Sequence, residues 1–195
     1  MRRGFTLIEM LVTVAIMALL ALSVGNSILS FFKAERVASG ESYSAAAAQG
    51  ALGAIVSSVR GMSYGADGEY PIVSMSQNAL TFFADNGPGG ASQKFTFQIT
   101  GTSLLESIVT ASGNPPAYTG KPVTEDIVDG VQNASLGKPL FQYFDANGNV
   151  INDFSKTAST SSLVVTLEVG GNAAQPSWKP YEMTSWVIPR NLRSR

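Results

Sequence analysis

The sequence has no cysteine and no histidine among its 195 residues. Without cysteine there is no disulfide framework, and the compartment of the chain cannot be inferred from redox chemistry. Without histidine there is no imidazole base, which removes Ser-His-Asp and Cys-His nucleophile pairs and most zinc sites. The composition therefore argues against an enzyme, and we expect none.

Charge is also scarce, at 14% of residues against 45% that are hydrophobic. No charged residue occurs from Met10 to Phe32. At ~1.5 Å per residue a helix over this run would reach roughly 35 Å, enough to cross a hydrocarbon core of about 30 Å. Arg2 and Arg3 precede the run, so the positive-inside rule places them in the cytoplasm and the rest of the chain outside.

A single carboxylate, Glu9, lies at the start of this apolar run, within Met1-Arg-Arg-Gly-Phe-Thr-Leu-Ile-Glu-Met-Leu-Val12. An unpaired carboxylate in a membrane costs on the order of several kcal/mol, so Glu9 needs a partner. The stretch from Arg3 to Val12 resembles the amino-terminal signature of type IV prepilins and of type II secretion pseudopilins. The resemblance covers only about the first thirty residues, but the order and spacing of the residues are specific.

The resemblance implies a processing step and an assembly step. A prepilin peptidase would cut between Gly4 and Phe5, and Phe5 would become an N-methylated amino terminus. Glu9 would then neutralise the α-ammonium of Phe5 on a neighbouring subunit. The implied partners are other pilins or pseudopilins, the peptidase, the inner-membrane assembly platform and, before assembly, membrane lipid.

Other interpretations of the amino terminus remain open. An uncleaved membrane anchor would show the same apolar run, but it requires neither Gly4-Phe5 nor Glu9. An ordinary secretory signal peptide would fit the basic start and the small residues around Ala21 to Ser23, although Glu9 is out of place in its apolar region. A tethered extracytoplasmic binding module that never polymerises is the main functional alternative.

The periodicity predicts one long helix from about Thr6 to Val59. Its second half carries an apolar stripe at helical spacing, formed by Leu52, Ile55, Val56 and Val59. Short strands and turns follow, so we predict an α+β fold in which an antiparallel sheet covers the stripe. The predicted parts are a leader (1–4), an apolar half-helix (5–32), an amphipathic half-helix (33–60) and a β domain (61–195).

Strands are predicted wherever short runs of β-forming residues lie between turn signals. The predicted strands are Pro71–Ser76, Ala79–Ala84, Gln93–Thr100, Ser103–Thr110, Ile127–Gln132, Leu140–Phe144, Val150–Ile151, Leu163–Val169 and Met183–Ile188. Asn147-Gly148 indicates a hairpin between the sixth and seventh of these. The segment from Gly113 to Gly120 is predicted to be a surface excursion.

A second, weaker resemblance lies in this half. Pro139 to Gly148, the strand Thr184 to Pro189, and Arg190-Asn-Leu192 resemble minor pilins and pseudopilins of the J or W kind. This resemblance implies a minor subunit in a small complex at the tip of the filament, which helps to start assembly.

One oxygen-rich run could bind a metal, and it contains Asp145, Asn147, Asn149 and Asp153. The glycine and glutamate positions do not match a calcium loop of the EF-hand type, so a hairpin turn is the favoured interpretation and calcium the weaker one. No other cofactor is predicted. Arg190, Arg193 and Arg195 lie near Trp178, Tyr181 and Trp186, but the chain lacks the basic excess of a dedicated nucleic-acid binder.

Three short patterns match functional motifs and are interpreted as chance. Gly61-Met-Ser63-Tyr-Gly65 matches a nucleophile elbow but follows a helix, and it has no histidine partner. Ser135 and Lys138 match one part of the penicillin-recognising signature, whose other parts are missing. Asn133-Ala-Ser135 matches a glycosylation acceptor, which is a short and common pattern.

Overall fold

The computed structural model describes residues 6–85, 91–170 and 179–192. The chain forms two compact units, Met1–Gly40 and Glu41–Arg195. One helix, α1 (Leu7–Arg60), belongs to both, and its ends lie within one residue of the predicted ones. It ends at Arg60, and the N–H of the next residue, Gly61, donates to the carbonyl oxygens of Ser57 and Ser58.

The described residues of the second unit form nine strands in two antiparallel sheets. The first sheet has the order β1 (Ile72–Met75), β2 (Ala79–Ala84), β3 (Gln93–Thr100), β4 (Ser103–Thr110) and β5 (Val123–Asp129). The second has the order β7 (Val150–Ile151), β6 (Phe141–Phe144), β8 (Ser162–Val169) and β9 (Tyr181–Val187). Short 3₁₀ turns lie at Thr157–Ser159 and Arg190–Leu192. The α+β class is confirmed, but the single predicted sheet is two sheets.

One hydrophobic core contains residues of the helix and of both sheets. The helix contributes the predicted stripe, with Leu52, Ile55 and Val59 buried and Val56 partly buried. The first sheet contributes three stacked phenylalanines, namely Phe82, Phe95 and Phe97. The fold therefore follows from an apolar helix face that the alternating side chains of the strands cover.

The fifth strand is the clearest error of the sequence prediction. It runs from Val123 to Asp129, whereas Ile127–Gln132 was expected. Its first half is polar and exposed, because it lies at the end of the sheet and buries few side chains. The apolar pattern that marks a buried strand is therefore absent at Val123–Asp126. After Asp129 the chain leaves β5, and the buried Val131 forms an isolated bridge with Val169 of β8.

Tyr143 and Asn133 connect parts of the fold through buried hydrogen bonds. The Tyr143 hydroxyl donates to the Ser76 carbonyl at 2.9 Å, and burial raises the pKa of this phenol. The Asn133 side chain is 0% exposed and binds β8 at two points. Its Nδ2 donates to the Thr166 carbonyl at 2.8 Å, and its Oδ1 accepts from the Glu168 N–H at 2.9 Å. This amide is committed inside the fold, so the folded chain does not present Asn133 as a glycan acceptor.

We expect Asn133→Ala to lower the free energy of unfolding by roughly 2–4 kcal/mol, because it leaves a buried N–H and a buried carbonyl without partners. Urea unfolding of the full chain in detergent measures the change. Asn152→Ala is the matched control, since Asn152 is exposed and should change the value by less than about 0.5 kcal/mol. Equal unfolding midpoints for the two variants would contradict the assigned role of Asn133.

Candidate functional site

The candidate site lies at the start of α1. Gly4 and Phe5, the predicted cleavage residues, lie outside the described residues. Glu9 is in the first turn of the helix, where the positive end of the helix dipole stabilises a carboxylate. The described site therefore consists of Glu9, its neighbour Thr6 and the apolar face that follows them.

Thr6 and Glu9 form a reciprocal capping box. The Glu9 N–H donates to Thr6 Oγ1 at 3.3 Å, and the Thr6 N–H donates to Glu9 Oε2 at 3.3 Å. The Thr6 hydroxyl also lies 3.3 Å from Oε2. Within the described part of the chain, Oε1 accepts no hydrogen bond. The carboxylate is thus oriented by its own helix and keeps one oxygen for another partner.

The sequence contains a signal for this capping box, which is not among the predictions above. Thr6-Leu-Ile-Glu9 fits the pattern of a threonine followed three residues later by glutamate before an apolar run. The prediction for Glu9 includes only an intermolecular pair and not this cap. Glu9 has both a local partner in the helix and the geometry to accept a second one.

The apolar face of the first unit is exposed along its length. The large apolar side chains from Leu7 to Phe32 are about half exposed or more. Contiguous apolar surface of this extent marks a protein or membrane interface. α1 is long and apolar enough to cross a membrane, although core helices of soluble proteins and signal sequences can have the same length and composition. Together with the amino-terminal motif, the helix fits a membrane anchor.

Hydroxyl groups within this apolar stretch bond to the helix itself. Thr13 Oγ1 donates to the Met10 carbonyl at 2.9 Å, and Ser27 Oγ donates to the Ser23 carbonyl at 3.0 Å. Ser30 bonds the Asn26 carbonyl in the same way. A hydroxyl whose donor is satisfied inside the helix costs less in an apolar environment. These residues therefore fit the predicted location of the helix in a bilayer or a filament core.

The oxygen-rich hairpin forms the predicted turn. Asp145 Oδ1 accepts hydrogen bonds from the N–H groups of Asn147 and Asn149, each at 2.8 Å, and Oδ2 accepts one from the Asn149 side chain. The Asn149 side-chain hydrogen bond is the main cause of the lowered pKa of Asp145. Asp153 bonds Ser155 instead. The described residues contain no group of three or more His, Cys, Asp or Glu side chains that could hold a metal ion, and calcium stays an untested prediction.

The motif matches interpreted as chance have structural explanations. Ser63 follows the helix, is buried, and has no histidine in the sequence to activate it. Ser135 Oγ donates to Gln132, whereas Lys138 pairs with Glu168 and Glu182. Hydrogen bonds to these glutamates raise the pKa of Lys138, so its amine is a poor base. Neither serine is arranged as a nucleophile.

The basic and aromatic group at the carboxyl end falls only partly within the described residues. Trp178, Arg193 and Arg195 lie outside them. Trp186 is half exposed and stacks on Phe144, with ring centroids 4.7 Å apart. Trp186 therefore packs against its own sheet, and Tyr181 and Arg190 are exposed.

Comparison with known proteins gives three findings. The chain matches the prokaryotic N-terminal methylation motif over residues 1–25. No curated protein matches it. Among solved structures, it is similar to a chain of the GspK-GspI-GspJ complex from the type 2 secretion system of enterotoxigenic Escherichia coli. That match has a TM-score of 0.49 and 13% identity, and it covers 75% of this chain and 97% of that chain.

Proposed function

We propose that this chain is a prepilin-like subunit that is cut between Gly4 and Phe5 and assembles through α1 into a type IV pilus or a type II secretion pseudopilus. The observation that carries the proposal is the methylation motif at residues 1–25 on a helix whose apolar face is exposed. A tethered binding module needs the apolar helix as well, but it needs neither the cleavage residues nor a carboxylate at Glu9.

Before processing, α1 holds the protein in the cytoplasmic membrane with the β domain outside. The peptidase then removes Met1 to Gly4 and creates an α-ammonium on Phe5. The helices of neighbouring subunits pack together, and the apolar surface of one covers that of the next. This covering replaces lipid contacts and removes the requirement for a bilayer.

Glu9 sets the register of this packing. Its capping box holds the carboxylate near the helix start, and Oε1 accepts the ammonium of Phe5 from a neighbour. In a low-dielectric core, removal of one partner of such a pair typically costs ~3–5 kcal/mol. A helix displaced along the filament axis would leave both charges unpaired, so the pair selects one axial position.

The minor-subunit role is the finer part of the proposal. The segments that resemble J or W subunits form parts of the second sheet, with Phe141–Phe144 as β6 and Tyr181–Val187 as β9. Both segments belong to the second sheet, so the two parts of the resemblance lie in one part of the fold. We expect the subunit to lie at the tip and to act in initiation, in a few copies per filament.

Cell fractionation tests the assembly step. In the native host, we expect the mature chain in the sheared filament or pseudopilus fraction, and in the membrane fraction when the prepilin peptidase is deleted. A marker protein of the cytoplasmic membrane is the control for contamination. A chain that stays wholly in the membrane in both strains would favour the tethered binding module.

A further inference from the structure

One side of β5 has no strand partner. β5 is the last strand in the order of the first sheet, so β4 pairs with one of its sides, and no strand of the described residues pairs with the other. A free edge presents unpaired N–H and carbonyl groups and can accept an added strand. Acidic residues often protect such edges from unwanted pairing, and Glu125, Asp126 and Asp129 fit that role.

Edge protection does not explain one feature of this strand. Glu125 lies directly opposite Glu106 of β4, and Glu106 lies directly opposite Phe97 of β3. Paired residues share a face of the sheet, so both carboxylates are on the same face as the buried Phe97 ring. Burial, and then the nearby Glu125, raise the pKa of Glu106. Directly opposed like charges destabilise a sheet.

The like-charged pair has no cation of its own. Each ion pair found in the described residues joins other groups, and none includes Glu106 or Glu125. Like charges that oppose each other directly, with no cation of the same chain paired to them, are expected at a functional surface. One positive charge from a partner would offset the repulsion between Glu106 and Glu125.

An apolar recess lies beside the two carboxylates. The next pair on the same face is Ile108 and Val123, and Val123 is 63% exposed. A cavity of about 380 Å³ opens here, and it is lined by Gln93, Ile108, Val109, Thr110, Gly120, Lys121 and Val123. The acidic and apolar positions are two residues apart along each strand, or roughly 6.7 Å. A strand added at this edge would place alternate side chains at the same spacing.

We propose that the edge of β5 and the pair Glu106/Glu125 bind an extended segment of a partner protein, which carries an aliphatic side chain and, two residues away, a lysine or arginine. The aliphatic side chain fills the recess at Val123, and the cation lies between the carboxylates. The backbone of the bound segment forms hydrogen bonds with the unpaired N–H and carbonyl groups of β5.

The partner is a different chain rather than a second copy of this one. In the described strands the one cationic residue is Lys94, and β3 is paired on both of its sides. Among the described strands, none that has a free edge carries a lysine or arginine within its own bounds, so the pattern is assigned to a different chain. The surface belongs to the second unit, and peptide binding to it does not depend on whether the chain enters a filament.

Peptide binding to the full chain in detergent micelles tests the inference. The probe is a fluorescein-labelled peptide, Ser-Thr-Val-Thr-Lys-Thr-Val-Thr-Ser, which fits in either direction, and the comparison peptide has glutamate in place of lysine. We expect the lysine peptide to bind at least about tenfold more tightly. Glu125→Gln should weaken its binding by about fivefold or more, and Asp126→Asn should change it by less than about twofold, because Asp126 lies opposite Leu105 on the other face.

Two further measurements separate binding from stability. On binding, β5 amides that do not bond β4 should gain protection from hydrogen exchange, and β9 amides should not. In the free chain Glu125→Gln should raise the Tm by about 1–3 °C, because the like-charge repulsion is lost.

Equal binding of both peptides, or unchanged binding by Glu125→Gln, would overturn the inference. Protection at β9 instead of β5 would do so as well. A dimer of the full chain in micelles that Glu125→Gln dissociates would assign the surface to a second copy and refute the partner proposed above.

Discussion

Chains that carry Glu9→Ala should be inserted and cleaved like the wild type, but they should be depleted from filaments by on the order of a hundredfold. The substitution leaves the ammonium of Phe5 on a neighbour without its carboxylate in an apolar core. Removing one partner of a buried pair costs ~3–5 kcal/mol, and each 1.4 kcal/mol is about a tenfold change in an equilibrium constant. Coexpression of variant and wild type, followed by mass spectrometry of sheared filaments, gives the ratio directly.

The capping box supplies the controls for this prediction. Glu9→Ala removes a helix cap as well as a charge, and a lost cap costs about 1 kcal/mol. Thr6→Ala disrupts the cap but keeps the carboxylate, so it should reduce incorporation by less than about tenfold. Glu9→Gln retains an acceptor for the Thr6 N–H but has no charge, and it should fail as Glu9→Ala does. Wild-type incorporation of Glu9→Gln would contradict the proposed charge pairing.

Gly4→Leu should abolish processing and leave the whole chain in the membrane with Met1 to Gly4 attached. The prepilin peptidase of the resembled family cuts after this glycine, and a branched side chain would occupy the space that glycine leaves free at the scissile bond. Intact-mass measurement of the membrane fraction reads out the leader. Arg3→Lys is the control, because it keeps the basic character of the leader and should be cut normally.

Mature protein from Gly4→Leu at wild-type abundance would contradict the assigned cleavage position. If that mature protein also entered filaments, the cut would have to lie at another bond. Intact mass would identify that bond, since each alternative bond gives a different amino-terminal fragment.

The main features of the fold could be predicted because they depend on local periodicity. The helix was correct to within one residue at each end, since charge-free and amphipathic stretches follow each other without a break from Leu7 to Arg60. The strands β2, β3 and β4 were correct to the residue, because alternating side chains such as Phe95 and Phe97 face the core.

Features that depend on pairing over long sequence distances could not be predicted. The division into two sheets results from which strands pair, and strand pairing leaves little trace in composition. The predicted bounds of β5 lie too far along the chain, because the strand conformation of its polar half depends on pairing with β4. The two hydrogen bonds of Asn133 to β8 join residues that are 33 and 35 positions apart. Tyr118 likewise anchors the predicted surface excursion by packing against Phe83, with centroids 4.6 Å apart.

The location of Glu9 at the start of the helix was predicted, but the hydrogen bonds around it were not. The amino-terminal pattern identified Glu9 as a residue that needs a partner, and the structure adds the local partner, Thr6. The pattern Thr-x-x-Glu was visible in the sequence, so the capping box could have been found. The opposition of Glu106 and Glu125 could not, because the register of β4 and β5 includes an irregularity at Leu104/Leu105.

The most direct test is the amino terminus of the chain isolated from its native membrane, by intact mass and terminal sequencing. We predict a chain that begins at N-methylated Phe5. A chain that begins at Met1 would contradict the proposed function and favour a tethered binding module. A chain that begins near Val24 would identify a secretory signal peptide and a secreted protein, and it would remove Glu9 from the mature molecule altogether.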